Sequence, residues 1–513
     1  MLKIMPLLFF KVKVVVYLCS LVILVMTTNA KSDQYLQKRA EILKEEEKEF
    51  SGGQENLTEN EEKVNRYLLQ LKQLELWQFY NNSSEFLPAR NFLEAREEID
   101  KSEVFKFIRK LPKGASLHTH MLAAVNVDYI IKNFTYMDHV YGCRNEMGVF
   151  KLRVMESPKE DANCSWKSLK TYRKEYEERG RDFDLFLRNQ MALNHTAVNQ
   201  SKNEVWTKFK NTFSCIYDLV SYRPFFQRYI YRLLEELYED NVFYTELRGT
   251  FMPLYDLSTT YDTKVFFDTF IETVEDFKST HPNFMGVKYI HCIYRGVDPT
   301  TVRANLSQLR NFFEAYPDFV AGLDFVGQEE EGHNIIDFYA ELLEFSKDLK
   351  FFFHAGETNQ FGHVDLNLVD AMLLNCSRIG HGFALAKHPK LIAMGMAQGV
   401  AVELSPISNQ VLKLNEDPRN HPASVLLSQD YPVVISNDDP AAWDATGLSY
   451  DWYVTFMSMT WKNQGLRVLK KWAKDSIEFS AMTDKSLARG KWHMQWDDFV
   501  DRMAETVNVS FRE

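Results

Sequence analysis

Two regimes of hydrophobic patterning divide the chain near residue 105. Ahead of it, apolar positions recur at helical spacing: a charged stretch from Lys38 to Phe50, then Val64, Tyr67, Leu68, Leu71 and Leu74 at three- and four-residue steps, with Ser51-Gly52-Gly53 as the break. Residues 31–105 are therefore expected to form a helical segment whose apolar stripe packs on its own domain or on a second subunit. Beyond it, short apolar runs alternate with longer amphipathic stretches. Strands are predicted at 115–120, 242–248, 286–293, 319–326, 351–355, 378–381, 400–404 and 432–437, with helices between them such as Thr263–Ser279, Thr301–Tyr316 and Asn334–Ser346. Ser449–Trp461, Gly465–Met482 and Trp496–Val507 read as closing helices. Eight strands interleaved with helices predict an α/β fold, a (β/α)8 TIM-type barrel over 106–513. Residues 133–190 interrupt the alternation as an inserted subdomain after the first strand, ending in the charged helix Leu169–Gly180.

Composition narrows the setting. With 513 residues and 45% hydrophobic content the chain can bury a large core. A net charge of -11 leaves no basic surplus for nucleic acid. Residues 1–30 have the form of a secretory signal peptide: Lys3, Lys11 and Lys13, an apolar stretch from Val14 to Met26, then Thr28 and Ala30. That stretch is shorter than the roughly 20 residues a membrane span needs. Acceptor sequons at Asn56, Asn82, Asn133, Asn163, Asn194, Asn199, Asn305 and Asn508 fit a secreted, extracellular glycoprotein. In an oxidising compartment Cys143 and Cys164 can close a short loop, while Cys215, Cys292 and Cys376 sit in apolar surroundings as buried thiols.

The chemistry lies where predicted strands stop. In Leu117-His118-Thr119-His120, side-chain alternation puts both imidazoles on one face. Phe351-Phe352-Phe353 runs into His354, and Val433-Val434-Ile435 runs through Ser436-Asn437 into Asp438-Asp439. His118, His120, His354 and Asp438 form a nitrogen-and-carboxylate set with no cysteine beside it, as a catalytic zinc requires. Glu357, three residues past His354, can exchange a proton, and burial would raise its pKa. His381, between Gly380 and Gly382, can hold and deprotonate the attacking water, and Asp439 can face the substrate. Trp206 is a candidate aromatic wall for a ring-shaped substrate.

Together, Lys113-Gly114-Ala115-Ser116-Leu117-His118-Thr119-His120, Phe353-His354-Ala355-Gly356-Glu357-Thr358, Arg378-Ile379-Gly380-His381-Gly382 and Ser436-Asn437-Asp438-Asp439-Pro440 resemble the adenosine deaminase family. The leader, the N-terminal helices, the Cys143 to Cys164 insertion and the run Pro406-Ile407-Ser408-Asn409-Gln410-Val411-Leu412 are similar to its secreted branch, the adenosine deaminase-related growth factors or adenosine deaminase 2 type. The resemblance implies hydrolytic deamination of adenosine and 2'-deoxyadenosine to inosine and 2'-deoxyinosine with release of ammonia, on one Zn2+ per subunit. It implies His118, His120, His354 and Asp438 as metal ligands, Glu357 as proton donor to purine N1, and His381 as the group orienting water. It further implies Asp439 at N7, the Gly327 amide at N3 and Trp206 in the nucleoside pocket. A homodimer through residues 31–105 is implied, with growth-factor activity and a cell-surface receptor or glycan as a further partner. Met121 stands where that branch has an acidic ribose contact, and Tyr294 where it has a pocket histidine. These two positions carry the alternative, a growth-factor-like or purine-binding protein with weak or altered-substrate deaminase activity. A different barrel amidohydrolase, a dipeptidase or another aminopurine hydrolase, is disfavoured, since a second metal would usually call for a bridging Lys or carboxylate at the fourth strand, where Phe325-Val326-Gly327 stands.

Overall fold

A computed structural model describes residues 31–82, 85–158, 161, 163–345 and 349–510. The expected signal peptide, residues 1–30, lies outside the described residues. The strands are β1 (Gly114–His120), β2 (Val242–Gly249), β3 (Gly286–Tyr294), β4 (Val320–Val326), β5 in two short pieces (Lys350–Phe351 and His354–Ala355), β6 (Arg378–His381), β7 (Ala401–Leu404) and β8 (Val433–Ile435). Each pairs in parallel with the next. The ring closes between β1 and the residues after β8, where the His120 amide donates to the Asp438 carbonyl at 2.8 Å and the Asp438 amide to that of His118 at 3.0 Å. Strands covered on both faces can be apolar throughout, which is why β8 reads Val-Val-Ile with all three residues buried.

The expected α/β barrel is therefore present, with local differences. β5 breaks at Phe352 and Phe353, whose ladder bonds go separately: the Phe352 amide donates to Leu323 and the Phe353 carbonyl accepts from Gly380. The helix expected over 334–346 divides into a 3-10 turn, Ile335–Phe338, and a helix, Tyr339–Phe345. The last helix runs Lys485–Ser510, longer than its apolar periodicity indicated, because Gly490 interrupts the pattern without ending the helix.

Between β1 and β2 an antiparallel sheet of Val140–Arg144, Phe150–Val154 and Lys167–Ser168 forms, and Cys143 is disulfide-bonded to Cys164. Cys215, Cys292 and Cys376 are free and buried. Helices Lys202–Val220 and Arg223–Glu239 then lead back to β2.

At the N-terminus, residues 31–49 are helical and largely exposed. The following helix, Glu59–Asn81, starts at a capping box in which Thr58 and Glu61 satisfy each other's amides. It is docked on the closing helices. Glu61 accepts from Trp496 Nε1 at 2.6 Å and pairs with Lys470 at 2.7 Å. Buried Lys72 donates to Thr460 Oγ1 and to the carbonyls of Trp461 and Gln464 at 2.6, 3.0 and 3.2 Å.

Candidate active site

β1 turns His118 and His120 to the same side, as alternation requires, and β5 and the end of β8 bring His354 and Asp438 to them. Donor atoms of these four residues lie within 4.8 Å of one another. The Asp438 carboxylate oxygen Oδ1 is 3.1 Å from His118 Nε2 and 3.2 Å from His120 Nε2. Two of the rings are held from behind. His118 Nδ1 is 2.8 Å from Glu403, and His354 Nδ1 is 2.7 Å from Asp324, which also accepts the His354 amide at 2.8 Å. A carboxylate at Nδ1 places the hydrogen there and leaves Nε2 with its lone pair for the site. His118 Nε2 and Asp438 Oδ1 are buried and have no hydrogen-bond partner. Inward lone pairs on rings braced by carboxylates are what a divalent cation needs, so the residues present fit a metal ion.

The bracing carboxylates are themselves neutralised. Arg248 donates Nε to Asp324 at 2.7 Å and a terminal nitrogen to Glu403 at 2.6 Å; Arg378 donates Nε to Glu403 and a terminal nitrogen to Glu246, both at 2.6 Å. Burial works against ionisation of Asp324, but His354 and Arg248 outweigh it and hold its carboxyl below the usual range. Burial likewise opposes ionisation of Glu403, and Arg248 and Arg378 reverse it.

Close approach requires glycine here. A Cβ on Gly380 would stand 3.2 Å from both His118 Cε1 and His354 Cα. His381 follows with φ 60° and Asp438 has φ 56°, so two of the site's functional residues hold left-handed backbone conformations. A cavity of about 450 Å³ opens onto the four candidate ligands' side of the barrel and is lined by Glu357, His381, Asp439, Gly327 and Trp206 among others. Glu357 is buried; its amide donates to Glu329 at 3.0 Å, and its Oε1 is 3.7 Å from His381 Nε2. Burial first, then Asp438, Glu329 and Glu330, push its carboxyl well above the ordinary range. Asp439 Oδ1 is buried without a partner, and so is Trp206 Nε1. Gly327, at φ 102°, lies against the Tyr294 ring, which leaves no room for a side chain. Met121, buried, and Tyr294, 41% exposed, line the same cavity.

The expected site residues line this cavity, except His118, which is fully buried in the ligand cluster behind it, and the disulfide pair, which belongs to the insertion. Sequence reasoning missed the bracing layer of Asp324, Glu403, Arg248, Arg378 and Glu246. Its one signal was charge inside otherwise apolar strands, as in Ala401-Val402-Glu403-Leu404.

Fold and site together define an α/β-barrel hydrolase with a metal-type centre. Residues 179–489 match the adenosine deaminase family model and residues 14–108 the adenosine/AMP deaminase N-terminal model. The chain is 39% identical to an adenosine deaminase of Phlebotomus duboscqi over 93% of each chain. It is 37% identical to human adenosine deaminase 2, covering 91% of this chain and 94% of that one. Among solved structures, an amidohydrolase from Burkholderia ambifaria with bound zinc superposes at TM-score 0.56 and 18% identity, covering 78% of this chain and 95% of that one. The Arabidopsis protein ADAL complexed with IMP does so at 0.55 and 16%, covering 77% and 99%. The chain belongs to the adenosine deaminase family and is an enzyme of that class.

Proposed function

We propose that this enzyme is a secreted zinc hydrolase that deaminates adenosine and 2'-deoxyadenosine, replacing the C6 amino group by oxygen and releasing ammonia. The observation that carries the reading is the convergence of His118, His120, His354 and Asp438 in one cluster, the last three lining the same cavity as Glu357. The donor set of three imidazoles and one carboxylate favours zinc, which when bound supplies Lewis acidity and lowers the pKa of water. Glu357, kept protonated by its surroundings, gives a hydrogen to purine N1, drawing electrons from C6. His381 orients the water that attacks C6. N7 offers only a lone pair, so Asp439 meets it as a donor. The Gly327 amide reaches N3, and Trp206 walls the nucleoside.

Purified protein should lower the ultraviolet absorbance of adenosine, and a chelator should stop it; no chelator-sensitive turnover of any adenine nucleoside would sink this reading. Glu357→Gln should keep metal and purine binding but lose about 10²-fold or more in kcat. Full activity in that variant would remove Glu357 from the proton path.

One observation favours the second reading, a purine-binding or growth-factor-like protein with weak or altered-substrate turnover: an apolar Met121 and a Tyr294 line the cavity. Secretion is supported by the disulfide and by the exposure of Asn56, Asn163 and Asn199. A homodimer is supported by Leu74, Trp77 and Tyr80, which remain 60, 65 and 74% exposed on the docked helix Glu59–Asn81. Light scattering that returned a monomer mass would exclude it. Among the described residues no helix is long and apolar enough to cross a membrane.

A further inference from the structure

His381 is held by a line of hydrogen bonds that leaves the cavity and ends on the main chain. The Ala423 amide donates to His421 Nδ1 at 3.1 Å. A backbone amide only donates, so this nitrogen carries a lone pair and the ring is neutral with its hydrogen on Nε2. Burial alone pushes His421 down to about 3, in keeping with that state. His421 Nε2 lies 2.9 Å from Asn409 Oδ1, which accepts. The Asn409 amide nitrogen then faces His381 Nδ1 at 3.1 Å, and an amide nitrogen has only hydrogens to give. His381 Nδ1 must accept, so a neutral His381 carries its hydrogen on Nε2. That nitrogen is 3.7 Å from both Glu357 Oε1 and Asp438 Oδ2. The rings of His118 and His354 also face it, at 5.2 and 5.0 Å, and His120 acts on it electrostatically from beyond them.

We propose that Asn409 and His421 are positioning residues that lock His381 in its Nε2–H tautomer, so that the ring meets the cavity as a hydrogen donor and offers it no lone pair. The role of His381 narrows to orienting an oxygen. The chain of donors and acceptors is rigid. The Asn409 amide donates to Ser405 at 3.1 Å and its carbonyl accepts from Leu414 and Asn415 at 2.9 and 3.1 Å, so its backbone is pinned on both sides. Asn409 and His421 are both buried, and Phe383 packs edge-on against the His421 ring at 5.0 Å. Reversing the tautomer would turn the Asn409 amide over and move the His421 hydrogen to Nδ1, where it would confront the Ala423 N–H. Two buried donors would then face each other.

The kinetic part of this inference rests on the deaminase reading; the tautomer does not. In the zinc-loaded protein labelled with 15N-histidine, the His381 and His421 signals, assigned by His381→Gln and His421→Phe, should both be of the Nε2–H form. Asn409→Asp offers acceptors on both atoms and should move the His381 hydrogen to Nδ1, with kcat falling about 10²-fold while KM and zinc content stay at wild-type values. His421→Phe frees the Asn409 amide to turn and should cost about 10-fold in kcat. His421→Gln, able to accept from Ala423 and donate to Asn409, should recover most of it. A wild-type His381 with its hydrogen on Nδ1, an Asn409→Asp variant with unchanged kcat, or a loss matched by loss of zinc would each overturn the proposal. If the wild-type enzyme turned over no adenine nucleoside, the deaminase reading would fall and the spectra alone would decide the tautomer.

Discussion

Met121 shows how one residue can set what a cavity recognises. It follows His120 directly, is buried, and lines the same cavity as the carboxylates Glu357 and Asp439. A thioether accepts hydrogen bonds only weakly, so a sugar hydroxyl brought there gains little. Met121→Asp should lower the KM for adenosine by about 10-fold through a charge-assisted bond, with the affinity for free adenine as an inhibitor unchanged. Equal changes for nucleoside and base would assign Met121 to general packing. Residues such as His118, His354 and Asp438 were legible in the sequence because each stands at or just past the end of a predicted strand, where the barrel arithmetic places functional groups. Asp324 and Glu403 were not, since a carboxylate within a strand has its partners on other strands. Asn409 and His421 were equally hidden: their roles depend on a contact across 12 residues and on a ring held by a main-chain amide.

At the level of the strands, the barrel floor beneath the candidate metal ligands is ionic. Arg248 from β2, Asp324 from β4, Arg378 from β6 and Glu403 from β7 are fully buried and joined at 2.6–2.7 Å. The alternation of strands and helices revealed the barrel, yet it carries no information on which charged side chains meet across it. Glu403 serves three partners at once: His118, Arg248 and Arg378. Glu403→Gln should therefore weaken zinc binding by about 10- to 100-fold in competition with a chelator. It should also destabilise the fold by about 3 kcal/mol or more, because the two guanidiniums lose a shared counter-charge. A normal zinc affinity in that variant would show that Glu403 does not tune His118.

For the whole molecule, stability should depend on pH through buried carboxyls shifted in opposite directions, upward where burial dominates and downward where neighbouring cations outweigh it. Glu236 accepts the Asn126 amide and pairs with Arg232 at 2.8 Å, but burial outweighs both and raises it to about 7. A carboxyl raised in the folded state gives stability that is full below its unfolded pKa and is lost as pH rises through the folded value. The relevant window is therefore from about 4.3 to about 7. Over it the wild-type protein should lose up to roughly 4 kcal/mol from this group, and Glu236→Gln should flatten that slope in chemical denaturation series. Asp324 and Glu403, depressed in the folded state, act the other way, their stabilisation being lost as pH falls below the ordinary carboxylate range. An unaltered slope in Glu236→Gln would place the pH response elsewhere.

The two hydrogen bonds that close the barrel are made by the main chains of His118, His120 and Asp438, the same residues whose side chains surround the candidate metal position. Cation binding and closure of the ring would thus fall to the same residues, through their side chains and main chains respectively. Removing the ion with a chelator should loosen this junction before any other part of the core opens. Amide hydrogen exchange would then accelerate first in segments 117–121 and 435–440, while β3 and β4 stay protected. If chelation left exchange in those two segments unchanged, the ring would be holding itself shut without the ion.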